Sequence, residues 1–160
     1  MLNLNKKNFL ILTFLISLFA LISAYFIEYI LGHQPCNLCL IERIPYVIAL
    51  IIITINYKFN HLERYLILLL VFVFLTSTLI SLYHLRIEQG FIKESLVCDL
   101  KNSSKILSKE EILQQLQQKT VSCKEVTFKI FGFSLTTLNI IISLLIMIIF
   151  TKIYFSYDKN

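Results

Sequence analysis

Residues 9–31 read FLILTFLISLFALISAYFIEYIL. A helix needs about 20 predominantly apolar residues to cross the hydrocarbon core of a bilayer, and this run supplies them. Three more apolar runs follow, at residues 40–57, 65–85 and 131–154. The second is the short one. From Ile44 to Tyr57 it needs a thin membrane, help from Leu40 and Ile41, or an Arg43 that snorkels at its end. Composition points the same way, because 57% hydrophobic against 16% charged residues would leave a soluble chain of 160 residues with too little interior to hide its apolar surface. The sequence therefore predicts an all-α membrane protein, a bundle of four transmembrane helices in a single domain. Lys6 and Lys7 before the first run resemble the start of a secretory signal peptide. The run is too long for one and shows no convincing small-x-small site around Ala24, so it is expected to remain as a helix.

This reading divides the chain into an inner segment 1–8, spans 9–31 and 44–57 joined by an outer loop 32–43, and an inner turn 58–64. Span 65–85, an outer loop 86–130, span 131–154 and an inner tail 155–160 follow. Lys6/Lys7, Lys58/Arg64 and Lys152/Lys159 flank the spans on one side, whereas loop 32–43 offers only Arg43. The positive-inside rule puts that loop outside. The long loop pulls the other way, with eight basic residues against six acidic ones. The net charge of +5 is scattered among loops and marks no nucleic-acid site. Gly32 and Gly90 are expected helix stops, and Pro45 disfavours helical geometry at Ile44. Within the long loop, Ser108-Lys109-Glu110-Glu111 reads as a capping box ahead of Ile112, Leu113 and Leu116. A short amphipathic helix is expected there, covering the loop's own apolar residues or lying at the membrane interface.

The four cysteines fall in these two loops, Cys36 and Cys39 in the short one and Cys98 and Cys123 in the long one. All four thus face one compartment, and stable disulfides belong to oxidising compartments. Cys36-Asn37-Leu38-Cys39 is a Cys-x-x-Cys motif, for which spacing alone leaves redox chemistry, metal ligation and a structural bridge open. Positive potential lowers a thiol pKa, and Arg43 lies one helical turn beyond Cys39. Zinc is the weaker reading, because Cys98 and Cys123 are twenty-five positions apart and do not form a second closely spaced pair; no metal is expected. A purely structural bridge suits Cys98/Cys123, since it closes a long loop. Two dithiol pairs beside a membrane also suit a relay by thiol–disulfide exchange. No glycine-rich nucleotide turn and no Cys-x-x-Cys-His haem motif is present, so a lipid-soluble quinone is the acceptor that needs no such motif.

The order of Tyr25-Phe26, Pro35-Cys36-Asn37-Leu38-Cys39, Leu40-Ile41-Glu42-Arg43 and Pro45-Tyr46 resembles the DsbB family of bacterial membrane disulfide-generating oxidoreductases. Tyr83-His84, Glu88-Gln89-Gly90, Cys98, Cys123-Lys124-Glu125 and Phe131-Gly132-Phe133-Ser134 extend the resemblance over nearly the whole chain. It implies a multi-pass protein of the bacterial inner membrane with its cysteine loops in the periplasm. It also implies oxidation of a DsbA-like thioredoxin-fold partner, with electrons passing to ubiquinone or menaquinone. Cys98/Cys123 would accept the partner's electrons, with Cys98 attacked first. Released Cys123 would attack Cys36 and leave Cys39 as a thiolate beside the quinone, held by Arg43 with His84 nearby. Glu42 reads as a simple partner for Arg43, and Asn139 as a bond to a neighbouring helix. Thr127-Phe128, where many relatives carry Pro-Trp, and Arg86, where a small residue is frequent, depart from the pattern at the partner surface and the quinone fit. The competing reading is a four-span structural or transport protein whose disulfides only staple its loops.

Overall fold

The computed structural model describes residues 6–58, 62–92, 123, 129–130 and 133–157. Among them are helices α1 (Lys6–Tyr29), α2 (Asn37–Ile41), α3 (Ile44–Lys58), α4 (Glu63–Glu88) and α5 (Leu135–Tyr157). Strands β1 (Lys129–Ile130) and β2 (Phe133–Ser134) precede α5. Four segments are long and apolar enough to cross a membrane: Lys7–Tyr29, Asn37–Lys58, Glu63–Glu88 and Leu135–Ser156. Among the described residues these four segments form a helical bundle, as the apolar runs predict.

The short second run reaches span length because α2 and α3 act almost as one helix. Pro45 has no N–H to donate and crowds the backbone of Ile44, so the two helices meet at a tightened turn. There the Arg43 N–H bonds Leu40 O at 3.2 Å and the Tyr46 N–H bonds Arg43 O at 3.2 Å. With Glu42 and Arg43 of the turn between them, α2 and α3 give 22 residues, about 33 Å at 1.5 Å per residue, which matches a hydrocarbon core of about 30 Å.

Both expected glycine stops lie in left-handed backbone, Gly32 at φ 71° and Gly90 at φ 77°. That conformation turns the His33 N–H back to Ile27 O (3.2 Å) and the Phe91 N–H back to Arg86 O (3.0 Å), closing the ends of α1 and α4. In the fourth apolar run the helix spans Leu135–Tyr157. Ser134 Oγ accepts the Thr137 N–H at 3.3 Å and caps a helix that starts at Leu135. Ahead of it β1 and β2 pair antiparallel, Lys129 with Ser134 and Ile130 with Phe133. The short strands were not expected. The predicted amphipathic helix after Ser108, and Cys98, lie outside the described residues.

Helix α4 packs along α5, and α3 packs against both α1 and α4. The core has two tiers. One is apolar, built from Leu10, Ala49, Ile52, Ile53, Ile67, Leu70, Phe74, Ile146, Phe150 and Ile153. The other, nearer the cysteines, buries Tyr46, Ser77, Ser81, His84, Thr136 and Ser143. Small side chains bring α4 and α5 close enough for Ser77 and Ser143 hydroxyls to meet at 3.0 Å. Large apolar side chains such as Phe19, Ile22, Leu79 and Leu145 point outward, where lipid replaces water as their solvent.

Candidate active site

The polar tier ends at the Cys-x-x-Cys motif. Cys36 is extended (φ −72°, ψ 166°) and its sulfur accepts the Cys39 N–H at 3.3 Å, so it caps α2. One turn of α2 carries Cys39 back over it, leaving the two sulfurs 2.7 Å apart. Both thiols are free. A disulfide needs them at about 2.05 Å, so the pair stands where an acceptor of two electrons and two protons could join it.

From α4, His84 reaches the same point and is almost fully buried. Its Nε2 lies 3.5 Å from Cys36 Sγ and its Nδ1 lies 2.8 Å from Glu42 Oε1. An ionised carboxylate only accepts, so Nδ1 carries a hydrogen and Nε2 is the ring nitrogen that faces the thiol. Glu42 is held on its other oxygen by the Asn139 amide, which donates to Oε2 at 3.0 Å and also to Ser81 Oγ at 2.7 Å. The Tyr46 hydroxyl donates to Asn139 Oδ1, and Ser143 approaches the same oxygen at 3.4 Å. On the far side of the imidazole, Thr136 Oγ1 sits 3.3 Å from Nδ1 and donates to Glu88 Oε1 at 2.6 Å. The result is a continuous series of thiol, imidazole, carboxylate and amide, each drawn from a different helix or turn.

These surroundings act on Cys36. The hydrogen bond from the Cys39 side chain pulls its thiol well below the ordinary range, against burial, which pushes it up, and with help from the hydrogen bond and charge of His84. Cys36 is thus the thiol poised to carry negative charge.

Arg43 turns the other way. Its guanidinium donates to Glu28 Oε2 at 2.6 Å and lies 5.1 Å from the centre of the Tyr25 ring. Those groups, with Tyr29, Leu40, Ile44, Val47 and Ile48, line a groove of about 400 Å³ between α1 and α3. Cys123 is buried and disulfide-bonded, and it packs in one cluster with Cys36, Leu38 and Ile87.

A family model described as disulfide bond formation protein DsbB matches residues 6–153. The chain belongs to the DsbB family. It is also 34% identical over 151 residues to Uncharacterized protein RP370 of Rickettsia prowazekii (strain Madrid E), covering 91% of this chain and 85% of that protein. No solved structure matches it. Membership of the DsbB family, with four segments able to span a membrane, makes the chain a multi-pass membrane oxidoreductase of disulfide-bond formation.

Within this DsbB-family chain, Cys36, Cys39, His84 and Cys123 gather at one end of the bundle, while Arg43 faces the groove. Glu42 does not pair with Arg43. Successive residues of a helix point about 100° apart, and the turn before Pro45 sends Glu42 into the bundle and Arg43 out of it. His84 does not line the groove; its ring is held between Cys36 and Glu42. Asn139 does bond neighbouring helices, and beyond that it positions Glu42. The signal available in the sequence was the presence of polar and ionisable residues within or at the ends of apolar runs, which in a membrane mark a site.

Proposed function

We propose that the chain oxidises a periplasmic DsbA-like thioredoxin-fold protein and delivers the electrons to membrane quinone through its two cysteine pairs. On this reading it sits in the bacterial inner membrane with the cysteine loops in the periplasm. The observation that supports it is the packing of disulfide-bonded Cys123 against Cys36, within reach of exchange between them.

A thiolate of the reduced partner attacks Cys98 of a Cys98–Cys123 disulfide, forming a mixed disulfide and releasing Cys123 as thiolate. Cys123 attacks Cys36 of a Cys36–Cys39 disulfide, and Cys39 leaves with the electron pair. The partner's second thiol resolves the mixed disulfide, freeing Cys98, which attacks Cys123 and releases Cys36. The partner has then lost two electrons, and Cys36 and Cys39 hold them as a dithiol. His84 Nε2 receives the Cys36 proton, and Glu42 keeps the imidazole hydrogen on Nδ1.

A membrane quinone, when bound, supplies the two-electron, two-proton acceptor that returns the dithiol to the disulfide. The groove fits such a group. Arg43 offers N–H donors for a carbonyl oxygen, the Tyr25 and Tyr29 rings offer flat faces, and Leu40, Ile44, Val47 and Ile48 form an apolar wall open toward lipid.

The test is partner-thiol consumption by purified protein in lipid with a reduced DsbA-like protein and either ubiquinone or menaquinone as sole acceptor. Cys39→Ser should abolish it, and a normal rate in that variant would overturn the proposal. A partner stripped of its second thiol should accumulate a mixed disulfide at Cys98, because its first thiolate opens the Cys98–Cys123 disulfide and nothing resolves the product. A four-span protein whose disulfides merely staple its loops would form none.

A further inference from the structure

The Cys36, Cys39 and His84 side chains form a second kind of site. Their donor atoms, two sulfurs and Nε2, all lie within 4.8 Å of one another. A tetrahedral zinc-type ion holds sulfur at about 2.3 Å and imidazole nitrogen at about 2.0–2.1 Å, which sets sulfur–nitrogen edges of about 3.5 Å and a sulfur–sulfur edge of about 3.8 Å. The Cys36 Sγ to His84 Nε2 distance is already 3.5 Å. The sulfur–sulfur edge, at 2.7 Å, has to open, and Cys39 is the less buried of the two cysteines.

Two further features point to a ligand rather than to a chance cluster. The Nδ1 hydrogen of His84 is committed to Glu42, whose other oxygen is fixed by Asn139. That is the carboxylate–histidine arrangement that orients a metal-bound imidazole and presents its free nitrogen to the ion. One turn on, Glu88 Oε1 stands 3.9 Å from the same Nε2 and adds negative charge that favours a cation there. The twenty-five-residue gap between Cys98 and Cys123, which weakens a four-cysteine zinc site, has no bearing here, because the third ligand comes from α4.

We propose that the dithiol form of this site captures one thiophilic divalent cation of the zinc type through Cys36, Cys39 and His84, and that the bound ion blocks re-formation of the Cys36–Cys39 disulfide. Each protonated thiol that coordinates releases its proton, and no electron is transferred. The disulfide form has no thiolate to offer, so oxidation expels the ion. Binding rests on the geometry alone; its effect on turnover rests on the thiol-oxidase reading above.

The test uses full-length reduced protein in detergent or nanodiscs, with Cd²⁺ as probe. A Cys98→Ser/Cys123→Ser background confines the thiols to this pair. One Cd²⁺ per chain should produce an ultraviolet thiolate-to-metal charge-transfer band that is absent from the oxidised protein. Glu42→Gln should weaken binding about 10- to 100-fold, the usual effect of losing a partner that orients a ligand. X-ray absorption at the zinc edge of the otherwise unaltered protein, with no reliance on a foldable histidine variant, should show two sulfur neighbours at about 2.3 Å and an imidazole nitrogen at about 2.0–2.1 Å. Absence of the band, or a zinc shell without histidine, overturns the proposal. These readouts use neither partner nor quinone, so their failure leaves the oxidase reading standing. Inhibition of partner oxidation by Zn²⁺, reversed by a chelator, then tests the consequence; turnover unaffected by saturating Zn²⁺ would overturn the blocking step.

Discussion

Glu42 and Arg43 are neighbours in the chain, yet each forms an ion pair on a different side of the second span. Glu42 meets His84 inside the bundle at 2.8 Å, with side-chain exposures of 10% and 2%. Arg43 meets Glu28 at 2.6 Å beside the open groove, with exposures of 15% and 21%. The inner pair is tied to a thiol at one end and to an amide network at the other. The outer pair is tied to one aromatic ring and otherwise faces lipid and the groove. The inner pair therefore belongs to the structure and to the thiol site together, whereas the outer pair lines the groove proposed for the acceptor and contributes little to holding the fold.

Removing one member of each pair breaks this comparison most directly. Glu42→Leu leaves His84 Nδ1 and the Asn139 amide buried without their acceptor, and a buried pair broken in this way costs about 3–5 kcal/mol. Thermal unfolding in detergent should show that loss, together with a steep fall in oxidase rate. Glu42→Gln keeps an acceptor oxygen for the imidazole and should recover most of the stability. A Glu42→Leu protein as stable as the parent would mean that the inner pair does not hold the bundle.

Asn139→Leu comes next. It leaves Glu42 Oε2 and the Tyr46 hydroxyl without their partner, while helix-to-helix hydrogen bonds within membranes are individually modest. The expected loss is about 1–3 kcal/mol in the same unfolding measurement. Because Asn139 touches no sulfur, its effect on rate should follow the mobility of Glu42 and His84. Asn139→Asp would set a second carboxylate against Glu42 and should be worse than leucine. The reverse order would show that packing, and not positioning of the carboxylate, is what Asn139 supplies.

Much of this architecture is legible in the sequence, and the part that is not has a physical reason. Apolar runs of span length and the two glycine stops are local properties, so four helices and the ends of α1 and α4 follow from them. The site depends on which side chains meet across helices. His84 and Glu42 are 42 positions apart, and Asn139 and Glu42 are 97 apart, so nothing in their spacing announces the contact. The fate of Glu42 and Arg43 is harder still, because opposite-charge neighbours suggest each other as partners until the turn before Pro45 is known. What the sequence does offer is the anomaly itself. Glu42, His84 and Asn139 are polar residues within or bordering apolar runs, and in lipid each needs a partner.

Arg43→Met sharpens the comparison from the outer side. Loss of a partly exposed ion pair should change stability by about 1 kcal/mol or less. The same substitution removes the one cationic donor among the described residues lining the groove, and a hydrogen bond from a charged group is worth about 1.5–3 kcal/mol. The KM for quinone should therefore rise by about tenfold or more while the mixed disulfide with the partner still forms. A variant that fails at the mixed disulfide would place Arg43 on the thiol side, and the separation of the two pairs would collapse.

Tyr25 gives the smallest expected effect and the most selective one. Its ring lies under the Arg43 guanidinium and stacks with Tyr29 at a centroid distance of 6.1 Å, while half of the residue stays exposed. A cation–aromatic contact at such a site is worth about 0.5–1 kcal/mol, a two- to fivefold change in an equilibrium. Tyr25→Leu should raise the quinone KM by about that factor without altering partner oxidation at saturating quinone. Tyr25→Phe keeps the ring face and should restore the parent value. If phenylalanine behaves like leucine, the hydroxyl and not the ring face matters, and Arg43 is then held by Glu28 alone. That outcome would make Glu28→Gln the stronger perturbation of the groove, still with no effect on the His84–Glu42 pair across the bundle.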